Sequence, residues 1–133
     1  MKYYLAKTEP SGYNIDRFEK DKITSWNGVR NPQAVNFLKS MTKGDMVFIY
    51  HTEGQSSIVG LAKVLGNGRS DPADPKSYLV DMEFIKRYQE PFITLKQIKQ
   101  TGKFANFRLV RQSRLSVMDV PKEFLDWFNK QVS

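Results

Sequence analysis

Apolar positions along this chain recur with two periods, and the switches between them mark the elements. Residues 2–7 alternate and predict a first strand with Tyr3 and Leu5 on one face. Thr8-Glu9-Pro10-Ser11-Gly12 breaks it, and Asn14 then caps a short helix over residues 15–20 that buries Ile15 and Phe18. From Gln33 to Met41 the apolar residues Ala34, Phe37, Leu38 and Met41 fall three and four apart, the spacing of an amphipathic helix. Asn31 is its N-cap, because the side-chain oxygen accepts an orphan N–H of the first turn, and Pro32 suits the first helical position. Lys43-Gly44-Asp45 ends the helix and leads into the β-rich run Met46-Val47-Phe48-Ile49-Tyr50. Glu53 to Ser56 reads as a hairpin loop and residues 58–65 as the returning strand, in which Gly60 marks a bulge or a close backbone approach.

Gly66-Asn67-Gly68 and Asp71-Pro72-Ala73-Asp74-Pro75 then read as loop. Residues 78–87 alternate again, with Val80, Met82 and Phe84 on one face and Asp81, Glu83 and Ile85 on the other. Residues 94–99 predict a short capped helix and Leu115 to Met118 a last strand. Pro121 opens a helix that buries Phe124, Leu125 and Phe128. Short strands decorated by short helices predict an α+β fold built on a small mixed barrel. No repeat or linker divides residues 1–133, so one domain is expected.

One segment carries more than its element requires. Trp26-Asn27-Gly28-Val29-Arg30 precedes the Asn31-Pro32 cap, and a helix start needs none of those five residues. Two readings of Trp26 stand at this point. It plugs the core beside an ordinary cap, or it is presented by a loop as a platform for a ligand.

Charge sharpens the choice. The net charge is +7, but residues 1–85 are nearly balanced, whereas residues 86–114 hold eight basic side chains against Glu90 alone. Such clustering is the footprint expected of a polyanion binder, and also of a merely solvated basic face. There is no cysteine, so disulfides and Cys-based zinc sites are excluded. The N-terminal residues lack the apolar run of a signal peptide, and no apolar stretch approaches the roughly 20 residues of a membrane span. A soluble, cytoplasmic protein is expected, or a nuclear one if the source is eukaryotic.

Catalytic chemistry is thinly represented. His51 is the only histidine, so no multi-His metal site forms and an acid–base role rests on that residue alone. Gly66-Asn67-Gly68 lacks the Lys-Ser/Thr of a phosphate-binding loop. Asp71 and Asp74 fit turn formation better than a calcium loop. Recognition chemistry is richer. Trp26 offers a face on which a base can stack, Thr8, Asn27, Asn31 and Ser116 offer neutral donors and acceptors, and Arg30 and Arg114 offer forked cations.

Several segments occur together in one order along the chain. They are Tyr4-Leu5-Ala6-Lys7-Thr8-Glu9-Pro10, Trp26-Asn27-Gly28-Val29-Arg30-Asn31, Ala34-Val35-Asn36-Phe37-Leu38, Lys43-Gly44-Asp45, Phe48-Ile49-Tyr50-His51, Ile58-Val59-Gly60-Leu61-Ala62, Asp71-Pro72 and Arg111-Gln112-Ser113-Arg114-Leu115-Ser116-Val117. In this ordered set the chain resembles the EVE domain, a PUA-like family related in fold to the YTH domain. The resemblance implies a twisted mixed β-barrel of five to six strands with short helices around it, and a pocket for a modified base flipped from DNA or RNA. Carried across, it puts Trp26 in an aromatic wall and Thr8 after the first strand. Asn27, Gly28, Val29, Arg30 and Asn31 would form the rim, Tyr50 and His51 the floor, and Arg114, Leu115 and Ser116 the opposite side. The second aromatic wall is unassigned among Tyr13, Tyr78 and Phe107.

The reading favoured by the sequence is a non-catalytic module, without cofactor or metal, that takes a modified base beside Trp26. Lys86, Arg87, Lys96, Lys99, Lys103, Arg108 and Arg111 would hold the nucleic-acid backbone. Two alternatives stand beside it. One is a nucleotide- or RNA-modification enzyme or subunit using His51, and the other is a peptide-binding module with a Trp-lined groove.

Overall fold

The computed structural model of the protein describes residues 1–132. Strand β1 (Tyr3–Thr8) runs inside the sheet, parallel to β3 (Met46–His51) on one side and antiparallel to β8 (Val117–Asp119) on the other. Tyr4, Leu5 and Ala6 are all buried, so β1 is covered on both faces, and the alternation of Tyr3 and Leu5 describes only one of them. β3 turns through a hairpin into β4 (Ser57–Val64), which pairs antiparallel with β6 (Asp74–Arg87). The far edge of β6 takes β2 (Ile23–Val29). The sheet therefore runs β2-β6-β4-β3-β1-β8, with the short strands β5 (Arg69–Asp71) on β6 and β7 (Ile93–Thr94) on β4. β2 and β8 end the path without pairing to each other, which leaves the curled sheet open along one seam.

The helices start where the sequence signals them. Asn14 Oδ1 accepts the Arg17 N–H at 2.8 Å to cap α1 (Ile15–Asp21), and Asn31 Oδ1 accepts the Ala34 N–H at 3.1 Å to cap α2 (Pro32–Ser40). Thr94 caps α3 (Leu95–Gln100) in the same way. The helix opened by Pro121 is α5 (Lys122–Val132), which buries Phe124 and Phe128 and leaves Leu125 half-buried.

Four elements differ from the sequence reading. Residues 69–77 are not loop: β5 and the start of β6 form a tight hairpin, and β6 begins at Asp74 rather than Tyr78. Asp71 and Asp74 make the turn by accepting the backbone N–H groups of Ala73 and Lys76, at 2.9 and 3.0 Å. The two-residue β7 and the single-turn α4 (Arg108–Arg111) carry too few residues to show a period. The fourth is β2, because Trp26 to Val29 belongs to a strand and not to a loop. Its alternation is broken by a bulge: Trp26 pairs with Val80 and Val29 with Tyr78, three residues against two. Gly28 accommodates the extra residue at φ 74°, a left-handed conformation that glycine adopts without a Cβ clash.

Two aromatic groups fill the interior. Under α5, Phe104, Phe107, Phe124 and Phe128 join Phe48 with centroid spacings of 4.6 to 6.1 Å around the group. Under α1, Phe18 packs against Trp26 and Phe84. α1 lies on β4 at Gly60, where an added Cβ would overlap Ile15 Cδ1 and stand 3.1 Å from the Lys86 carbonyl oxygen. That is the close approach the sequence reading attached to this glycine.

Candidate functional site

The bulge in β2 decides what faces the open seam. An unbroken strand would send Trp26 and Val29 to opposite faces, but the extra residue lets both turn into the core. Asn27 and Gly28 between them are left exposed. They border a cavity of about 420 Å³, within the range of small-ligand pockets. Its lining comes from both sides of the seam: Thr24 to Val29 of β2, Lys7 and Thr8 at the end of β1, and Ser116 just before β8. Tyr13, Arg17 and Asp21 from α1 and its lead-in close a third side.

Two aromatic rings meet in this cavity. Tyr13 and Trp26 stand edge to face, with centroids 6.4 Å apart and planes at 84°. Trp26 keeps 7% of its surface exposed, so it is at once part of the core and the back wall of the cavity, and both readings of it hold in part. Tyr13 is half-buried and offers more ring surface. Of the three candidates for a second aromatic wall, Tyr13 alone lines this cavity. Phe107 is buried under α5, and Tyr78 lines a separate groove.

The polar lining is held in place. Thr8 Oγ1 donates to the Tyr13 carbonyl at 2.8 Å and fixes the segment that carries the ring. Tyr13 Oη donates to Asp21 at 3.0 Å, and the Arg17 guanidinium lies 5.5 Å from the Tyr13 ring centre. Lys7 Nζ donates to the Ser113 carbonyl at 2.9 Å and stands 5.7 Å above the Tyr50 ring, and burial lowers its pKa. The site thus combines two aromatic faces, two cations, one carboxylate and several neutral donors and acceptors. The sequence does not single out Lys7, Arg17, Asp21, Thr24 or Ser25. Their signal is positional, since Lys7 lies in β1, Thr24 and Ser25 in β2 and Arg17 and Asp21 on α1, and it needs the third dimension to be read.

Of the residues expected around a pocket, the structure brings Thr8, Trp26, Asn27, Gly28, Val29 and Ser116 together. The remaining ones lie elsewhere. Asn31 is occupied as the α2 cap, and Arg30 points to the neighbouring groove, with Nε 3.1 Å from Asp74. Tyr50 is buried beneath Lys7 and Leu115 is buried in the core, while Arg114 is exposed outside the cavity lining.

His51 does not form the floor either. Its Nε2 accepts the Ile15 N–H at 3.1 Å, which ties β3 to the first turn of α1. The bond requires an unprotonated Nε2, and burial, opposed by Asp16 and assisted by Arg87, lowers the His51 pKa. In this geometry the nitrogen lone pair that an acid–base role would use is engaged as a structural acceptor.

None of the basic residues of the stretch 86–114 lines the cavity. Arg87 pairs with Asp16 and Glu19 of α1, at 2.6 and 3.0 Å, and Arg108 pairs with Asp119 at 3.0 Å over the Phe37 ring. Lys86 covers Tyr88, Lys96 and Lys99 sit on α3, Lys103 follows α3, and Arg111 ends α4.

A family model described as the EVE domain matches residues 2–131. Among known proteins, the chain is similar to thymocyte nuclear protein 1 of Mus musculus, at 30% identity over an alignment covering 94% of this chain and 71% of that protein. Among solved structures, it is similar to a protein of Rhodopseudomonas palustris determined by NMR, with a TM-score of 0.90, 32% identity and coverage of 99% of this chain and 93% of that one. It is also similar to human THYN1 protein, crystallised in complex with 5-methylcytosine-containing DNA. That match has a TM-score of 0.87, 25% identity and coverage of 100% and 98%. The fold is thus the PUA-like one that the sequence resemblance implied. No helix among the described residues is long and apolar enough to cross a membrane.

Proposed function

The chain belongs to the EVE domain family, and on that premise we propose that it is a non-catalytic module that reads a modified base in DNA or RNA. The base enters the cavity at the open seam and meets Tyr13 and Trp26. The observation that carries this reading is the cavity itself: about 420 Å³, walled by two perpendicular rings and edged by Thr8, Asn27 and Ser116. Perpendicular walls suit a flat ligand that stacks on one ring and meets the other at its edge. The neutral donors and acceptors suit a Watson–Crick edge. The complex of the human relative with 5-methylcytosine DNA supports a methylated or otherwise altered cytosine as the first ligand class to try. A soluble intracellular setting, cytoplasmic or nuclear, fits the role.

Flipping a base costs a few kcal/mol, so selectivity must come from contacts made only inside the cavity. The test is a titration of the full chain with matched oligonucleotides carrying cytosine or 5-methylcytosine, single- and double-stranded. Tighter binding of one modified form is the expected result. Equal affinity for plain and modified strands across a panel of pyrimidine and purine modifications would overturn the reading.

A further inference from the structure

No residue of the 86–114 stretch lines the cavity, so the strand that carries the base needs a cationic surface nearer to it. We propose that the groove between α2 and the β5–β6 hairpin binds a phosphodiester of that strand, a nucleotide or two from the base. This assignment rests on the reading of the cavity as a base site.

The groove has a volume of about 530 Å³, and Arg30, Lys39 and Lys76 line it with no acidic residue among the lining positions. Lys39 Nζ stands 5.7 Å over the Tyr78 ring, which sets its ammonium at the groove wall. Asp74 meets Arg30 at the edge, on the Nε side, and holds the guanidinium in place. Ser77 also lines the groove, and its hydroxyl is the one buried side-chain polar atom without a hydrogen-bond partner among the described residues. Position is the further argument. Val29 lines the base cavity and Arg30, the next residue, lines the groove, so the two sites adjoin across one peptide bond. The lysines of α3 lack that continuity, because Lys96 and Lys99 line a separate groove beside the β3–β4 hairpin.

The experiment compares the wild type with K39Q/K76Q, and with K96Q/K99Q as the contrast, on plain and modified oligonucleotides between about 50 and 200 mM salt. All four lysines are exposed, so the fold is expected to survive. The expected result for K39Q/K76Q is a weaker salt dependence, its log–log slope reduced by about 0.7–0.9 for each phosphate no longer neutralised. The ratio of modified to plain affinity stays at the wild-type value. The K96Q/K99Q slope is unchanged. An unchanged slope in K39Q/K76Q, or a reduced slope in K96Q/K99Q alone, overturns the groove. The two readings fail separately: loss of the base reading appears as no preference in the wild type, while the slopes still decide the groove. A wild type that binds no oligonucleotide at the lower salt overturns both.

Discussion

Tyr13 stands at 84° to Trp26 with 6.4 Å between ring centres, one ring half-buried and the other almost wholly enclosed. The pair therefore divides two duties that the sequence alone assigns to the tryptophan. Trp26 supports the core, where truncation to alanine costs about 3–5 kcal/mol and confuses any binding measurement. Tyr13 offers a ring whose loss the fold tolerates better. Tyr13→Ala is expected to weaken binding of the preferred modified oligonucleotide by about tenfold or more, on a stacking scale of about 1–3 kcal/mol per base. Tyr13→Phe keeps the ring and should retain most of the affinity, losing the bonds its hydroxyl makes with Asp21 and Thr24. Fluorescence anisotropy on both variants checks this, and equal affinity of Tyr13→Ala and wild type would remove Tyr13 from the site.

The bond from the Ile15 N–H to His51 Nε2 makes stability depend on pH. Burial lowers the folded-state pKa of His51, so the unfolded chain, with an ordinary value near 6.5, binds the proton more readily. The contribution is complete above the unfolded value. It declines as pH falls from about 6.5 toward the lowered folded value, and levels off below it. Thermal unfolding at pH 5 and pH 7.5 should therefore show a lower midpoint in acid. His51→Gln keeps a neutral acceptor and should flatten that difference, whereas a pH response identical to wild type would place its origin in another group.

Gly28 tests the bulge that shapes the cavity. An added Cβ would meet nothing within 4 Å, so Gly28→Ala isolates the cost of the φ 74° conformation. That cost is about 1–2 kcal/mol in stability. If the strand relieves it by losing the bulge, Trp26 and Val29 can no longer both face inward, and base preference falls with it. Chemical denaturation and the oligonucleotide titration, run on the same sample, separate strain from loss of the site. A fully stable, fully selective variant would show that the bulge is dispensable.

How much of this is readable in advance follows from which signals are local. Caps at Asn14, Asn31 and Thr94 are made by single side chains on nearby backbone, and each is legible in a few residues. The strand over Ile23–Val29 escapes a periodicity reading because Asn27-Gly28 breaks its period, the same feature that makes the site. Half of the expected pocket is legible through an ordered set of motifs rather than through spacing. His51 and Tyr50 are misplaced by that route, because a motif shows that residues travel together but not which way each faces. The basic stretch is legible as charge but not as geometry. Arg87 and Arg108 look free in sequence, and their acidic partners lie on α1 and β8, far away along the chain or on another element.

Gln33 and Gln112 exchange two hydrogen bonds, at 3.1 and 2.9 Å, from amide to amide. Gln33 stands in the first turn of α2, which continues from β2, and Gln112 lies a few residues before β8. The pair therefore links the two ends of the sheet that do not pair directly. Each neutral bond contributes about 0.5–1.5 kcal/mol, and removing one partner leaves the other half-buried amide unpaired. Gln33→Ala and Gln112→Ala should each destabilise the protein by about 1–2 kcal/mol, with a coupling energy of about 0.5–1.5 kcal/mol in the double variant. If the clamp also sets the width of the seam, both single variants should lose modified-base preference while keeping the salt dependence of binding. Additive effects with no coupling would show that the two amides act independently. Unchanged preference would show that the seam holds its width through α2 packing alone.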